Sequence, residues 1–169
     1  DTSYIGLEHM PQKSISLDQW GTTANIASGK YIFDRTNILF GKLRPYFHKV
    51  GVPAIDGICS TDILVISPKQ KQHFGILLGH LSSENFIAYT SSASTGTRMP
   101  RTNWTDMANY SLLLPDQRIA SFHSQYVHSI IKRIHENIYQ QKVLIHLRDT
   151  LLPKLLSGEL RAPAAMMRE

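Results

Sequence analysis

The chain has 169 residues, room for one ordinary domain with an appendage but not for two full domains. A hydrophobic fraction of 42% with only 18% charged residues excludes a disordered polyelectrolyte, and a formal charge of +5 favours a polyanionic partner. One cysteine, Cys59, excludes an internal disulfide and a thiolate zinc site, and suits a reducing cytoplasm. No window is apolar over the roughly 18 residues a membrane span requires, and no secretory n-region and h-region opens the chain. The chain begins at Asp1 without Met and reads as a fragment of a longer polypeptide.

To about Leu114 the sequence predicts short strands and turns. Lys30–Phe33, Ile38–Phe40 and Ile63–Ile66 are β-branched or aromatic runs with Gly, Pro, Asn and Asp between them. Leu39–Pro53 reads as strand, basic turn, strand. Asp56–Pro68 reads as a turn and a buried strand stopped by Pro68. Helices are expected around His73–Leu81, Ser83–Thr90 and Trp104–Ala108, with Ser82 or Ser83 capping the second. Tyr110–Leu114 is expected as a last strand, ended by Pro115.

After Pro115 the texture changes. Asp116 is a good N-cap, and neither Gly nor Pro follows until Pro153. Apolar residues recur at three- and four-residue steps: Ile119, Phe122, Tyr126 or Val127, Ile130 or Ile131, Ile134, Ile138, Leu144 or Ile145, Leu147 and Leu151–Leu152. A helix of about 36 residues would span roughly 54 Å, the dimensions of a coiled-coil arm. Pro153 should kink or end it, and Gly158 should cap a final turn. Such a stripe needs a second long helix. The sequence contains no internal repeat, so that helix is expected elsewhere in a parent chain, in a second copy or in another protein, with Val127, Ile131, Ile134, Ile138 and Ile145 as the pairing residues. The predicted organisation is α+β: a β-rich domain over 1–115, a helical arm over 116–160 and a loose tail over 161–169.

Two segments suggest polyanion contact. TGTRMPRTNW (Thr95–Trp104) sets Arg98 and Arg101 three residues apart in a loop of small polar residues. Arginine can take guanine O6 and N7 together, Asn103 can pair with adenine, and hydroxyls such as that of Thr97 suit phosphates. An ordinary solvated loop is the alternative. GKLRPYFHK (Gly41–Lys49) interleaves cations with aromatics. Lys42, Arg44 and Lys49 could follow a phosphate backbone with Tyr46 near the bases, or Leu43, Tyr46 and Phe47 could be core that the cations cover. Lys13, Lys30 and Arg35 are weaker candidates. His128 and His135, like His73 and His80, are seven apart, which is not zinc-helix spacing. No G-x-S-x-G, Walker loop, G-x-G-x-x-G, paired-acid pattern or N-P-P-Y-like tetrapeptide is present, so neither catalytic nor metal-ligating residues are expected, and Cys59 reads as core.

Five segments in order carry a family resemblance: YIGLEHM (Tyr4–Met10), ILFGKLRPYFHKV (Ile38–Val50), GICSTDILVI (Gly57–Ile66), TGTRMPRTNWTDM (Thr95–Met107) and LRDTLLPKLLSGEL (Leu147–Leu160). The chain resembles the specificity subunit of type I restriction–modification systems. More narrowly, it is similar to one target-recognition domain with the helical spacer that follows it. The resemblance implies a half-subunit, the C-terminal one, whose long helix pairs antiparallel with another and whose domain reads one half of a split duplex sequence. It implies modification subunits that methylate adenine and restriction subunits that translocate and cleave. S-adenosylmethionine, ATP and Mg²⁺ would then belong to those partners, with no cofactor in this non-catalytic chain. Residues Gly41–Tyr46 match the shared block and are expected to frame the fold or grip phosphates, while 12–28 and parts of 91–101 are the segments expected to select sequence. The alternatives are a coiled-coil interaction module with incidental charge, and a specificity domain of a fused single-chain enzyme.

Overall fold

The computed structural model describes residues 2–22, 29–96 and 98–161. It divides into two compact units, Asp1–Lys132 and Arg133–Glu169. Thr97, the segment 23–28 and the tail from 162 lie outside the described residues.

In the first unit the predicted α+β organisation holds. Among the described residues, eight short strands run β1 Ser3–Ile5, β2 Ser16–Leu17, β3 Gly21–Thr22, β4 Lys30–Phe33, β5 Ile38–Gly41, β6 Val50–Pro53, β7 Gly57–Ser60 and β8 Ile63–Ile66. They form two four-stranded sheets, ordered β3-β1-β7-β4 and β2-β6-β5-β8. The pair β1–β7 is parallel, in register Tyr4 with Ile58, and β2–β6 is parallel, while β5 lies antiparallel between β6 and β8. The tight turn between β7 and β8 carries the chain from one sheet to the other.

Two apolar cores follow from this layout. Ile5, Met10, Leu17, Phe33, Leu39, Cys59 and Ile63 form one. Burial pushes the Cys59 thiol up to about 11 and leaves it a small core residue, unreactive at neutral pH. The second core joins the β5–β6–β8 sheet to the helices through Ile38, Phe40, Val50, Val52, Phe74, Leu78, Phe86, Ile87 and Met107. The helices are α1 Phe74–Leu81, α2 Glu84–Ser92 and α3 Trp104–Ala108. Ser83 caps α2 by accepting from the Phe86 amide, as its hydroxyl and position predict.

Tyr110–Leu114 corrects one expectation: Tyr110 is a bend and 111–114 carry no regular structure, so the segment is not a strand. No sheet edge accepts it. Tyr110 instead turns its ring against Phe86 and Tyr89, with centroids 5.0 Å from each, and Leu113 is 90% exposed.

The long helix α4 covers Gln117–Leu156, capped by Asp116, whose Oδ1 accepts from the amides of Arg118 at 2.6 Å and Ile119 at 3.1 Å. Its opening turns belong to the first unit. Ala120 and Ser124 are buried, Ile131 is part of the second core, and Val127 packs against it. Val127 and Ile131, expected as pairing residues, thus pack against the core of their own domain, Ile131 buried and Val127 partly so. The approach of α4 to α1 is set by Gly75. A Cβ there would lie 2.8 Å from His123 Nδ1 and 3.0 Å from the Ser124 Cα. Ser124 Oγ accepts from the Gly75 amide at 2.8 Å and donates to the Gln72 carbonyl at 2.6 Å.

In the second unit α4 continues to Leu156 with Pro153 inside it, so the helix ends three residues after Pro153 and not at it. The missing N–H sits on a fully exposed stretch, where water can hydrate the carbonyl one turn back. The turn after it closes through Ser157 N–H to the Pro153 carbonyl (2.9 Å) and Gly158 N–H to that of Leu155 (3.2 Å), with Gly158 at φ +77° as predicted for a cap. Of the remaining pairing candidates, Ile138 is buried, Ile134 is half-buried and Ile145 is exposed.

Ser124→Ala should leave the buried Gly75 amide without an acceptor. The expected cost is about 1–3 kcal/mol, read as a lower urea midpoint at unchanged slope. An unchanged midpoint would mean that this contact does not hold α4 to its domain.

Candidate nucleic-acid interface

The two basic segments, half the domain apart in sequence, are stitched together by main-chain hydrogen bonds. The Arg44 amide donates to the Pro100 carbonyl at 2.8 Å, and the Thr102 amide to that of Lys42 at 3.0 Å. Leu43 pairs with Arg101 as an antiparallel bridge, and Arg101 pairs in turn with Thr95, exchanging hydrogen bonds of 3.1 and 3.0 Å. That second pair closes a loop over 96–100. Gly96 enters it at φ +105°, a conformation a Cβ would strain, with the Met99 carbonyl oxygen 3.3 Å from where that Cβ would sit.

The 41–49 block leaves β5 and turns sharply. Arg44 (φ 50°) and His48 (φ 53°) flank a single 3-10 turn over Pro45–Phe47, and both are left-handed. Lys13, at φ 54°, is the other non-glycine residue at positive φ among those described, and its amide donates to the His48 carbonyl at 2.9 Å. Such conformations cost of order 1–3 kcal/mol each and persist only where the surroundings over-determine them. Here His48 is buried, with Nε2 2.9 Å from the Ser82 carbonyl oxygen, and Lys13 pairs with Glu84 at 2.8 Å. The Lys13 hydrogen bond and charge hold the Glu84 carboxyl below the usual carboxylate range.

Arg44 lies against the loop. Its Nη2 donates to the Arg98 carbonyl at 3.4 Å, its guanidinium carbon lies 5.9 Å from the Phe47 ring centre, and its Nε is buried without a partner among the described residues. It therefore braces the loop that displays Arg98. Arg98 and Met99 are exposed at the tip, Tyr46 is about half exposed, and Lys42 is half-buried. Arg101 is held by Asp62, Nε to Oδ1 at 3.0 Å and Nη2 to Oδ2 at 3.5 Å. Hydrogen bonding to Asp62, then its charge, raises the Arg101 pKa further.

Two expected contact residues have other tasks. Asn103 caps α3: its Oδ1 accepts from the Asp106 amide at 2.9 Å and its Nδ2 donates to Asp106 Oδ2 at 2.7 Å. Lys49 donates through Nζ to the Leu7 carbonyl at 2.6 Å and ties the block to the first strand's turn. The weaker candidates are likewise engaged, Lys30 over the Tyr4 ring at 5.2 Å and Arg35 with Asp56 at 3.5 Å. Asp62, which the sequence showed only as an isolated carboxylate, is the member that sequence reasoning missed. Among the described residues, no group of three or more His, Cys, Asp or Glu could hold a metal ion, and no helix is long and apolar enough to cross a membrane.

The fold matches a solved HsdS subunit from Thermoanaerobacter tengcongensis with a TM-score of 0.61 at 17% identity, over 96% of this chain and 44% of that one. It matches a chain from a structural study of assembly and conformational transition in the type I R-M system with a TM-score of 0.59 at 18% identity, with the same coverage. In sequence the chain is 28% identical over 145 residues to the type I restriction enzyme EcoDI specificity subunit of Escherichia coli, covering 81% of this chain and 31% of the relative. It is 38% identical over 66 residues to the MjaIX specificity subunit of Methanocaldococcus jannaschii, covering 39% of this chain and 15% of that relative. No protein-family model matches the chain. In sequence and fold the chain is thus similar to type I specificity subunits, as the five segments implied, and it spans about a third or less of the length of these curated relatives.

If Asn103 is a cap and not a base reader, Asn103→Ala lowers stability by about 0.5–2 kcal/mol. It should leave sequence preference in a duplex-binding assay unchanged. Loss of preference at a single base pair with an unchanged melting midpoint would restore the base-reading role.

Proposed function

We propose that the chain is a target-recognition domain of a type I specificity subunit: it binds duplex DNA by sequence, reads one half of a split target, and catalyses nothing itself. Modification subunits that methylate adenine and restriction subunits that cleave would be its partners, carrying S-adenosylmethionine, ATP and Mg²⁺, in the cytoplasm. The observation that carries this reading is the stitching of Lys42–Arg44 to the 95–102 loop. It turns two separate basic motifs into one rigid mount for exposed cations. A solvated loop has no need of a strained arginine beneath it. In this reading Lys42 and Arg98 contribute phosphate contact, which supplies most of the affinity. Tyr46 and the tip of the loop face base edges, where sequence is read.

The helical part of the reading rests on exposed apolar residues. Ile119, Phe122, Tyr126 and Ile130 form one exposed stripe within the first unit, and Leu144, Leu147, Leu151 and Leu155 form another within the second. Both have the three- and four-residue steps of a helix-pairing face. A second long helix is the proposed occupant. Leu147→Glu together with Leu151→Glu should abolish association in equilibrium sedimentation while the first unit's unfolding midpoint holds. Association that survives both charges would reject this stripe as the seam.

The recognition reading is tested by mapping methylated positions in a genome. The parent subunit is expressed with its modification subunit, then again with residues 1–132 replaced by the equivalent domain of a relative. Carrying the exchange to 132 keeps the docking face of α4 with its own core. One half of the methylated motif should change and the other half stay. An unchanged motif, or no methylation by the intact system, would leave an interaction module as the better account. Arg98→Ala should weaken binding of the specific duplex by about 1–3 kcal/mol if it reads a base. A phosphate role lowers affinity for all sequences alike and flattens the salt dependence. Undiminished affinity would remove Arg98 from the interface.

A further inference from the structure

We propose that Asp62 is a specificity-determining positioning residue, which presents Arg101 edge-on to a guanine. The inference rests on the duplex-recognition reading above and adds to it a residue and a base.

Asp62 sits in the turn between the two sheets and is fixed by its own main chain. Its carbonyl accepts from the Lys42 amide at 2.9 Å, and its amide lies 3.3 Å from Ser60 Oγ. Its side chain is 28% exposed, against 46% for Arg101. Arg101 is equally constrained, since it closes the 96–100 loop with Thr95 and bridges to Leu43. The two ends of the ion pair are thus mounted on rigid main chain, unlike an ordinary surface pair that holds two floppy side chains together for little gain.

The way the pair is made matters more than its strength. Asp62 takes the side edge of the guanidinium, Nε and Nη2. Arginine has five N–H donors in one plane. With the side edge occupied, the end edge remains, with both hydrogens of Nη1 and one of Nη2 directed away from the carboxylate. Among the described residues nothing else accepts from this guanidinium. Two parallel donors match O6 and N7 of guanine. They do not match adenine, which presents N7 beside its own N6 donor. The carboxylate adds a second effect. It repels phosphate, so it disfavours use of Arg101 as a sequence-blind backbone contact. One acidic residue thereby favours the specific mode and penalises the non-specific one.

The test is selection from a random duplex library by the complete subunit containing this chain, assembled with its modification subunits. The unsubstituted protein should yield a consensus with a guanine in this domain's half. Asp62→Asn should erase preference for that one guanine, a loss of roughly ten- to a hundredfold in discrimination, and should tighten binding to unrelated duplex. Arg101→Ala should erase the same position. Arg101→Lys keeps the charge but cannot offer two coplanar donors, and it decides the matter if Asp62→Asn does not fold. Failure of the unsubstituted protein to select any consensus would overturn the recognition reading together with this one. A consensus kept at every position by Arg101→Lys and Asp62→Asn, or lowered uniformly across sequences, would overturn this inference alone.

Discussion

The site depends on hydrogen bonds between main-chain atoms of two distant segments, Arg44 to Pro100 and Thr102 to Lys42. Without them, the 95–102 segment is a polar loop with no fixed address. With them, it becomes an extra strand-like ledge beside β5, and everything mounted on it inherits the rigidity of the sheet. The left-handed Arg44 and His48 are the cost of bringing the block around to meet that ledge. The second core and the Lys13–Glu84 pair hold the block in this conformation from below.

Much of this was legible in the sequence, where the local signal and the tertiary environment agree. Ile63–Ile66 and Lys30–Phe33 are β-branched and aromatic, and they are strands with the predicted bounds. Trp104–Ala108 follows an asparagine cap, and Ser83 caps α2. The failures lie where the outcome depends on what else is nearby. Tyr110–Leu114 has strand composition but pairs with no strand, and two aromatic neighbours recruit Tyr110. Pro153 would break a buried helix, yet on an exposed one it costs only a hydrogen bond that water replaces.

For the site, residue type was readable and residue task was not. The cations at 42, 44, 98 and 101 were visible as chemistry, but a sequence does not show which is surface and which is brace. Arg44 turned inward, and Lys49 found a carbonyl 42 residues away. Asp62 carried no local mark, because its meaning comes from Arg101, 39 residues later. The apolar period of α4 gave a similar half-answer. Its stripe is two stripes over the first turns, one facing the domain through Ala120, Val127 and Ile131, the other exposed through Phe122 and Tyr126. A single hydrophobic count along the helix merges them.

That main-chain pairs close the 96–100 loop has an evolutionary consequence. Hydrogen bonds from amides to carbonyls place no demand on the side chains between them, and among the described residues of the loop it is Gly96 whose positive φ constrains its identity. The tip can therefore exchange one residue for another without losing its mount, and the penalty that usually accompanies innovation in a folded protein is small at these positions. A domain built in this way can drift to new preferences by single steps, each intermediate remaining folded and soluble enough for selection to act on it.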